Sequence, residues 1–166
     1  MTNEESSELE LSASRRLPYA SDRVWAMCTT KVGLERWWSA EDLQTKVRKL
    51  EVRTDGEVDI HVRYVPALLT ANGADVFRAA GVPIAFDLRG KLTDVVPERT
   101  LTFDLALDIG DAGARVGLVT KIELVPEGDS TRVSLIGRGP GTSHWIALGQ
   151  QNLEAQLERL ARALDH

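Results

Sequence analysis

The sequence predicts an α+β fold in which an antiparallel sheet of about seven strands is covered on one face by helices. Three observations predict it: stretches that alternate apolar and polar residues, turn residues between these stretches, and a final segment whose apolar residues recur every three or four positions. Alternation is typical of strands with one buried face, and the longer spacing is typical of an amphipathic helix. Burial then places the helices over the apolar face of the sheet.

The first part of the chain predicts one strand followed by two short helices. The strand covers residues 9–17 and ends before a proline. Ser21 is expected to cap the first helix, and the second helix follows Lys31. Neighbouring residues on an α-helix point about 100° apart. One of Trp37 and Trp38 is therefore predicted to fill the core while the other faces a cavity or solvent.

Six more strands are predicted after these helices, separated by turn residues. Their alternation is clear in several places; for example, Leu101, Phe103 and Leu105 are separated by Thr102 and Asp104. One face of the sheet is therefore predicted to be apolar and the other to face water. The predicted strands cover residues 45–53, 57–64, 84–95, 100–109, 115–125 and 131–137.

The last part of the chain predicts a reversal of direction at residues 137–141, which are rich in glycine, followed by one long helix. Thr142 or Ser143 is the predicted cap. The apolar residues of the helix form one stripe that should face the sheet, whereas Arg159 and other charged residues lie elsewhere on the helical wheel. The stripe consists of Trp145, Leu148, Leu153, Leu157, Leu160 and Leu164.

Composition narrows the class of protein. The chain has 166 residues and a formal net charge of -5, and its Lys and Arg residues are dispersed, so no nucleic-acid surface is expected. Residues 1–8 are expected to form a flexible acidic lead, and residues 9–166 a single domain. No apolar run has the length of a membrane span. The lone Cys28, expected to be buried, has no partner for a disulfide, which favours the cytoplasm.

The sequence predicts no cofactor, no metal and no assigned catalytic residue. Its three histidines are too scattered to bind a metal ion together, and the Gly-x-Ser-x-Gly pattern of many hydrolases is absent. His61 is expected on the outward face of its strand, and His144 at a surface or capping position.

Several short stretches, in their order and spacing, resemble the START-like superfamily, also called SRPBCC. Within it they are similar to the branch represented by the C-terminal domain of the heat-shock chaperone ATPase activator. The resemblance covers residues 9–165 and implies the helix-grip fold, in which a curved sheet wraps around a long C-terminal helix with an apolar cavity between them. The stretches are Arg16-Leu17-Pro18-Tyr19-Ala20 with Val24-Trp25, Leu34-Glu35-Arg36-Trp37-Trp38, Val96-Pro97-Glu98-Arg99-Thr100-Leu101, Thr131-Arg132-Val133 and Trp145.

The resemblance also implies where a ligand would lie. Residues 65–83 join two strands near the mouth of such a cavity and are predicted to form a lid; a loop helix that simply covers the sheet is the alternative. Leu105 and Leu107 are expected to face Leu148 and Leu153 across the cavity. The predicted ligand-binding residues are Trp38, Tyr64, Leu69, Val76, Phe77, Phe86, Phe103, Leu105, Leu107, Trp145, Leu148 and Leu153.

Three functions remain open at this point. The leading hypothesis is binding of an apolar or aromatic small molecule in the cavity, with homodimer formation left open. The second is an enzyme of the polyketide cyclase or dehydratase type, as some members of the superfamily are, for which Tyr64, Asp87 and His144 are the titratable candidates. The third is a chaperone-interaction module, which the name of the branch suggests.

Overall fold

Strands and helices follow one another in the order that the sequence predicts. The computed structural model describes residues 8–38, 43–64, 85–108, 115–140 and 143–165. The helices are α1 (Ser21–Cys28), α2 (Lys31–Trp37) and α3 (Ser143–Leu164). The strands are β1 (Glu8–Leu17), β2 (Leu43–Leu50), β3 (Glu57–Tyr64), β4 (Ala85–Val96), β5 (Thr100–Asp108), β6 (Arg115–Glu127) and β7 (Ser130–Pro140).

These seven strands form one antiparallel sheet in the order β1-β7-β6-β5-β4-β3-β2. Side chains of one face alternate with those of the other, so that Leu101, Phe103 and Leu105 of β5 are buried while Asp104 is exposed. The helices cover the buried face: α3 packs on β1 and β7, α2 packs on β2, and α2 and α3 contact each other. The predicted α+β helix-grip arrangement is therefore confirmed.

The turn between β2 and β3 lies at Asp55 and Gly56, as the sequence predicts. Asp55 has a φ of 66°, in the left-handed region that tight turns use. A Cβ atom on Gly56 would stand 2.0 Å from the carbonyl oxygen of Glu51. Only glycine fits at this position because backbone atoms occupy the space of any side chain.

Two local predictions are wrong. β7 does not end at Gly137: it pairs with β1 as far as Pro140, because backbone hydrogen bonding with the neighbouring strand outweighs the local turn tendency of glycine. Ser21 does not cap α1. The residue before α1 is Ala20, which makes no side-chain cap, and Ser21 Oγ lies 3.0 Å from Thr131 Oγ1 on β7.

The C-terminal end of α3 is fixed to α1 and to the residues just before α1 by polar contacts. Arg23 Nη2 donates a hydrogen bond to the Leu164 carbonyl oxygen over 2.9 Å, and the Tyr19 hydroxyl donates to the Asp165 carboxylate. The Arg23 guanidinium also lies over the Tyr19 ring, 4.7 Å from its centroid. A cation at this end of a helix is favourable because the last carbonyls carry partial negative charge.

None of the described helices has both the length and the apolar character that are needed to cross a bilayer.

Candidate functional site

The sheet face that meets the helices, here called the inner face, is apolar from β2 to β7. Among the side chains described on it, none is ionisable; the polar ones are Thr45, Thr120 and Thr131. An ionisable side chain placed there would lose hydration, so this composition suits the contact with helices. The fully or nearly fully buried apolar residues of this face are Val47, Val58, Ile60, Val62, Leu88, Leu92, Leu101, Phe103, Leu105, Leu107, Ile122, Leu124, Val133 and Leu135.

Burial along β6 and β7 is uneven. Towards the turn that joins these strands, Ile122 of β6 and its partner Leu135 of β7 are completely buried. Further along the same face, four residues are only partly buried although they occupy inward-facing positions. Incomplete burial means that part of the surface at these positions stays accessible. We call this region the β6–β7 gap; its residues are Leu118, Thr120, Gly137 and Gly139.

Two positions of the β6–β7 gap, Gly137 and Gly139, have no side chain. A Cβ atom on Gly137 would lie 3.6 Å from both methyl carbons of Leu153, and a Cβ on Gly139 would lie 3.1 Å from Leu118 Cδ2. Leu153 of α3 therefore lies over β7. The prediction that Leu153 faces Leu105 on β5 is wrong, since β6 separates those two strands.

Trp38 and Phe103 form an aromatic pair beside the gap. Their ring centroids are 5.0 Å apart with an interplanar angle of 59°, and Phe103 pairs with Thr120 across β5 and β6. Trp37 belongs to the core: it is completely buried, and its indole nitrogen donates to the Met27 carbonyl oxygen over 3.0 Å. Of the two tryptophans, Trp38 is the one that packs on the inner face, and neither faces solvent.

Two buried polar residues of α3 join it to the C-terminal end of α2, and sequence reasoning did not find them. Gln156 Nε2 donates to the Trp38 carbonyl oxygen over 2.7 Å, and Arg159 Nε donates to the Trp37 carbonyl oxygen over 3.2 Å. These carbonyls end a helix and lack partners within it. Arg159 therefore faces the protein interior, contrary to the prediction. Gln156 follows Leu153 by three positions, a spacing that puts both on one face of α3.

The predicted ligand-binding residues fall into two groups. Phe103, Leu105 and Leu107 of β5 lie on the inner face, with Trp38 and Leu153 on the helices that cover it. For the second group, the structure does not describe the side chain. Tyr64, Phe86, Trp145 and Leu148 lie on β3, β4 and α3, but their side chains are not described; Leu69, Val76 and Phe77 lie outside the described residues altogether.

Asp87 lies on the opposite, outer face of the sheet, so its prediction as a cavity acid or base is wrong. Its Oδ1 is 2.7 Å from His61 Nδ1 and 3.3 Å from Arg48 Nη1, and its Oδ2 is 3.2 Å from Arg89 Nη2. Burial raises the pKa of Asp87, but the hydrogen bond from His61 and the charges of both arginines outweigh this and lower it. His61 lies on the outward face as predicted, although it is partly buried in this cluster.

Within the described residues there is no group of three or more side chains arranged to hold a metal ion.

A family model described as Activator of Hsp90 ATPase homolog 1-like protein matches residues 18–165. The match covers most of the chain, and the chain belongs to this family. The resemblance seen in the sequence is therefore confirmed. No curated protein matches the chain.

Solved structures share the fold at low sequence identity. A protein from Chromobacterium violaceum is 17% identical with a TM-score of 0.73, over 95% of this chain and 97% of its own. The AHSA1 protein from Silicibacter pomeroyi is 18% identical with a TM-score of 0.72, over 95% and 100%. DynU16, from the dynemicin biosynthetic locus, is 15% identical with a TM-score of 0.63, over 94% of this chain but 47% of its own. Such likeness shows the fold alone.

Proposed function

We propose that this member of the Activator of Hsp90 ATPase homolog 1-like family binds an apolar or aromatic small molecule between the inner face of the sheet and α3. The observation that carries the proposal is the partial burial of the β6–β7 gap next to the completely buried Ile122 and Leu135. Ligand sites are typically concave, mostly apolar and equipped with a few polar groups. The gap has that composition.

The neighbouring side chains suit an apolar ligand. Trp38 and Phe103 offer aromatic surface, and Leu105 and Leu107 continue the apolar floor along β5. In this proposal Tyr64, Phe86, Trp145 and Leu148 supply the remaining walls. Leu69, Val76 and Phe77 supply the cover.

An enzyme of the polyketide cyclase or dehydratase type is the second candidate. The observation in its favour is the fold shared with DynU16, a protein from a biosynthetic locus. General acid–base catalysis requires a titratable group in contact with the substrate. The described side chains of the inner face from β2 to β7 include none, so that role would fall to Tyr64 or His144. Binding without catalysis therefore has the stronger support.

We also propose that the protein works in the cytoplasm. Its buried free thiol, Cys28, suits a reducing compartment. Measuring the fraction of the protein in the soluble cytoplasmic extract of its native host tests this proposal.

The binding proposal is tested by titrating the protein with N-phenyl-1-naphthylamine, an apolar dye whose fluorescence rises when it leaves water. We expect saturable binding by the parent protein. Gly137→Leu should reduce the affinity by about tenfold or more, because the new side chain and Leu153, which packs at this position, would together fill the floor of the gap. Gly117→Leu is the matched control, since nothing lies within 4 Å of a Cβ atom on Gly117.

Thermal melting of each variant separates lost binding from lost structure. If Gly137→Leu does not fold, Leu105→Phe replaces it as a second way to fill the space from β5. No saturable binding by the parent protein, or equal binding by the parent and by a folded Gly137→Leu variant, would remove the proposal.

A further inference from the structure

Thr120 is the polar side chain of the β6–β7 gap, and its hydroxyl has no hydrogen-bond partner in the described part of the chain. The two other threonines of the inner face differ from it. Thr131 Oγ1 donates to the Tyr19 carbonyl oxygen over 2.8 Å. Thr45 also has an interaction partner. Both are also buried, whereas Thr120 keeps accessible surface. Thr120 is thus a polar group left open to whatever enters the gap.

We infer that the molecule bound in the gap presents a hydroxyl or carbonyl oxygen to Thr120 Oγ1, so that the ligand is apolar with one hydrogen-bonding group. The inference rests on the proposed binding function and specifies its ligand class. A threonine hydroxyl both donates and accepts, so it serves either oxygen. On the neighbouring strands Thr120 pairs with Phe103 of β5, which offers apolar surface, and with Gly137 of β7, which has no side chain.

A ligand that fills the gap changes the hydration of the Thr120 hydroxyl. A purely apolar ligand would strip water from the Thr120 hydroxyl without replacing the lost hydrogen bond, and that is unfavourable. A ligand with a suitably placed oxygen restores the bond. Thr120 therefore selects between ligands of similar shape, because an unpaired buried polar group penalises the wrong one.

Gln156 is the other candidate for such a contact, and the structure favours Thr120. Gln156 Oε1 has no hydrogen-bond partner among the described residues, but protein atoms enclose it completely. Its Nε2 is already held by the Trp38 carbonyl oxygen. Gln156 is therefore enclosed by the protein, whereas Thr120 keeps accessible surface.

Two probes of matched shape test the inference: naphthalene, which has no polar group, and 2-naphthol, which adds one hydroxyl. The parent protein should bind 2-naphthol about two- to tenfold more tightly than naphthalene, the factor expected for one neutral hydrogen bond. Thr120→Val keeps the shape of the side chain and removes its hydroxyl. It should abolish the preference by weakening 2-naphthol binding alone. Thr120→Ser should retain the preference.

The outcomes separate this inference from the binding proposal. If neither probe binds the parent protein, both fall. If both probes bind and Thr120→Val leaves the preference intact, or weakens both probes equally, the inference falls while the binding proposal stands. Should Thr120→Val fail to fold, Thr120→Ala makes the same comparison with a smaller side chain, and a retained preference for 2-naphthol would overturn the inference.

Discussion

Gln156 Nε2 of α3 donates a hydrogen bond to the Trp38 carbonyl oxygen at the end of α2 over 2.7 Å. This bond satisfies a carbonyl that α2 itself leaves without a partner. It also holds the backbone of Trp38 where its ring meets Phe103 on the sheet. One residue of α3 therefore connects the helix to the aromatic wall of the proposed site.

Gln156→Leu should lower the free energy of unfolding by about 1–3 kcal/mol, because it leaves the Trp38 carbonyl buried without a partner. Chemical denaturation measures the loss. Glu158→Leu is the control, since Glu158 is exposed on the same helix and its ion pair with Arg162 is worth little. Equal stability of the parent and the Gln156→Leu variant would show that the bond contributes nothing.

Leu160→Ala should destabilise the protein by about 2–5 kcal/mol, the cost of a cavity at a fully buried leucine. Thermal melting and chemical denaturation both measure it. Val32→Ala provides the comparison because Val32 is 68% exposed, and it should change the stability by less than about 0.5 kcal/mol. A loss at Leu160 as small as that at Val32 would contradict the packing of α3 described above.

Asp87→Asn should reduce the stability at neutral pH by up to about 1 kcal/mol, the range of partly exposed ion pairs. The pKa of Asp87 is lowered in the folded protein, so folding favours its charged form. Its contribution is therefore present above the unfolded pKa of about 4 and is lost as the pH falls through the lower folded value. The difference between variant and parent should shrink towards zero in strong acid.

Denaturation at several pH values measures this dependence, with Asp104→Asn as the control for an exposed carboxylate on the same outer face. A difference between Asp87→Asn and the parent that stays constant from neutral pH into strong acid would contradict the assigned contacts of Asp87 with His61, Arg48 and Arg89.

Cys28 should resist alkylation in the folded protein. Burial raises the pKa of its thiol to about 12, and the reactive species is the thiolate. Incubation with iodoacetamide at mildly alkaline pH should leave native protein unmodified, whereas protein unfolded in denaturant should react fully. Mass spectrometry detects the added group. Rapid modification of the native protein would show that Cys28 is not enclosed as described.

The fold was predictable because its signals are local. Alternation in β3, β5 and β6 and the helical spacing of Leu153, Leu157 and Leu160 each reflect one buried face within a short window. The end of β7 was not predictable in this way. Its last residues look like a turn, and their pairing with β6 as far as Arg138 and with β1, which lies far away in sequence, as far as Pro140 keeps them in the sheet.

The candidate site was predictable only in part. Phe103 was predicted as a ligand-binding residue because it is large and apolar at an inward-facing position of its strand, and Trp38 because two adjacent tryptophans on a helix must point apart. Thr120 and Gly137 were missed because their role depends on the register of β6 against β7 and on how far the helices cover that pair. Gln156 was missed because a buried polar residue on a helix requires knowledge of its partner, here the end of α2.

The most direct test of binding in the β6–β7 gap is the number of apolar probe molecules that one chain retains in native mass spectrometry after incubation with excess N-phenyl-1-naphthylamine. We expect one bound probe per chain for the parent protein and none for a folded Gly137→Leu variant. A parent protein that retains no probe, or a variant that retains as much as the parent, would contradict the claim that the β6–β7 gap is a binding site.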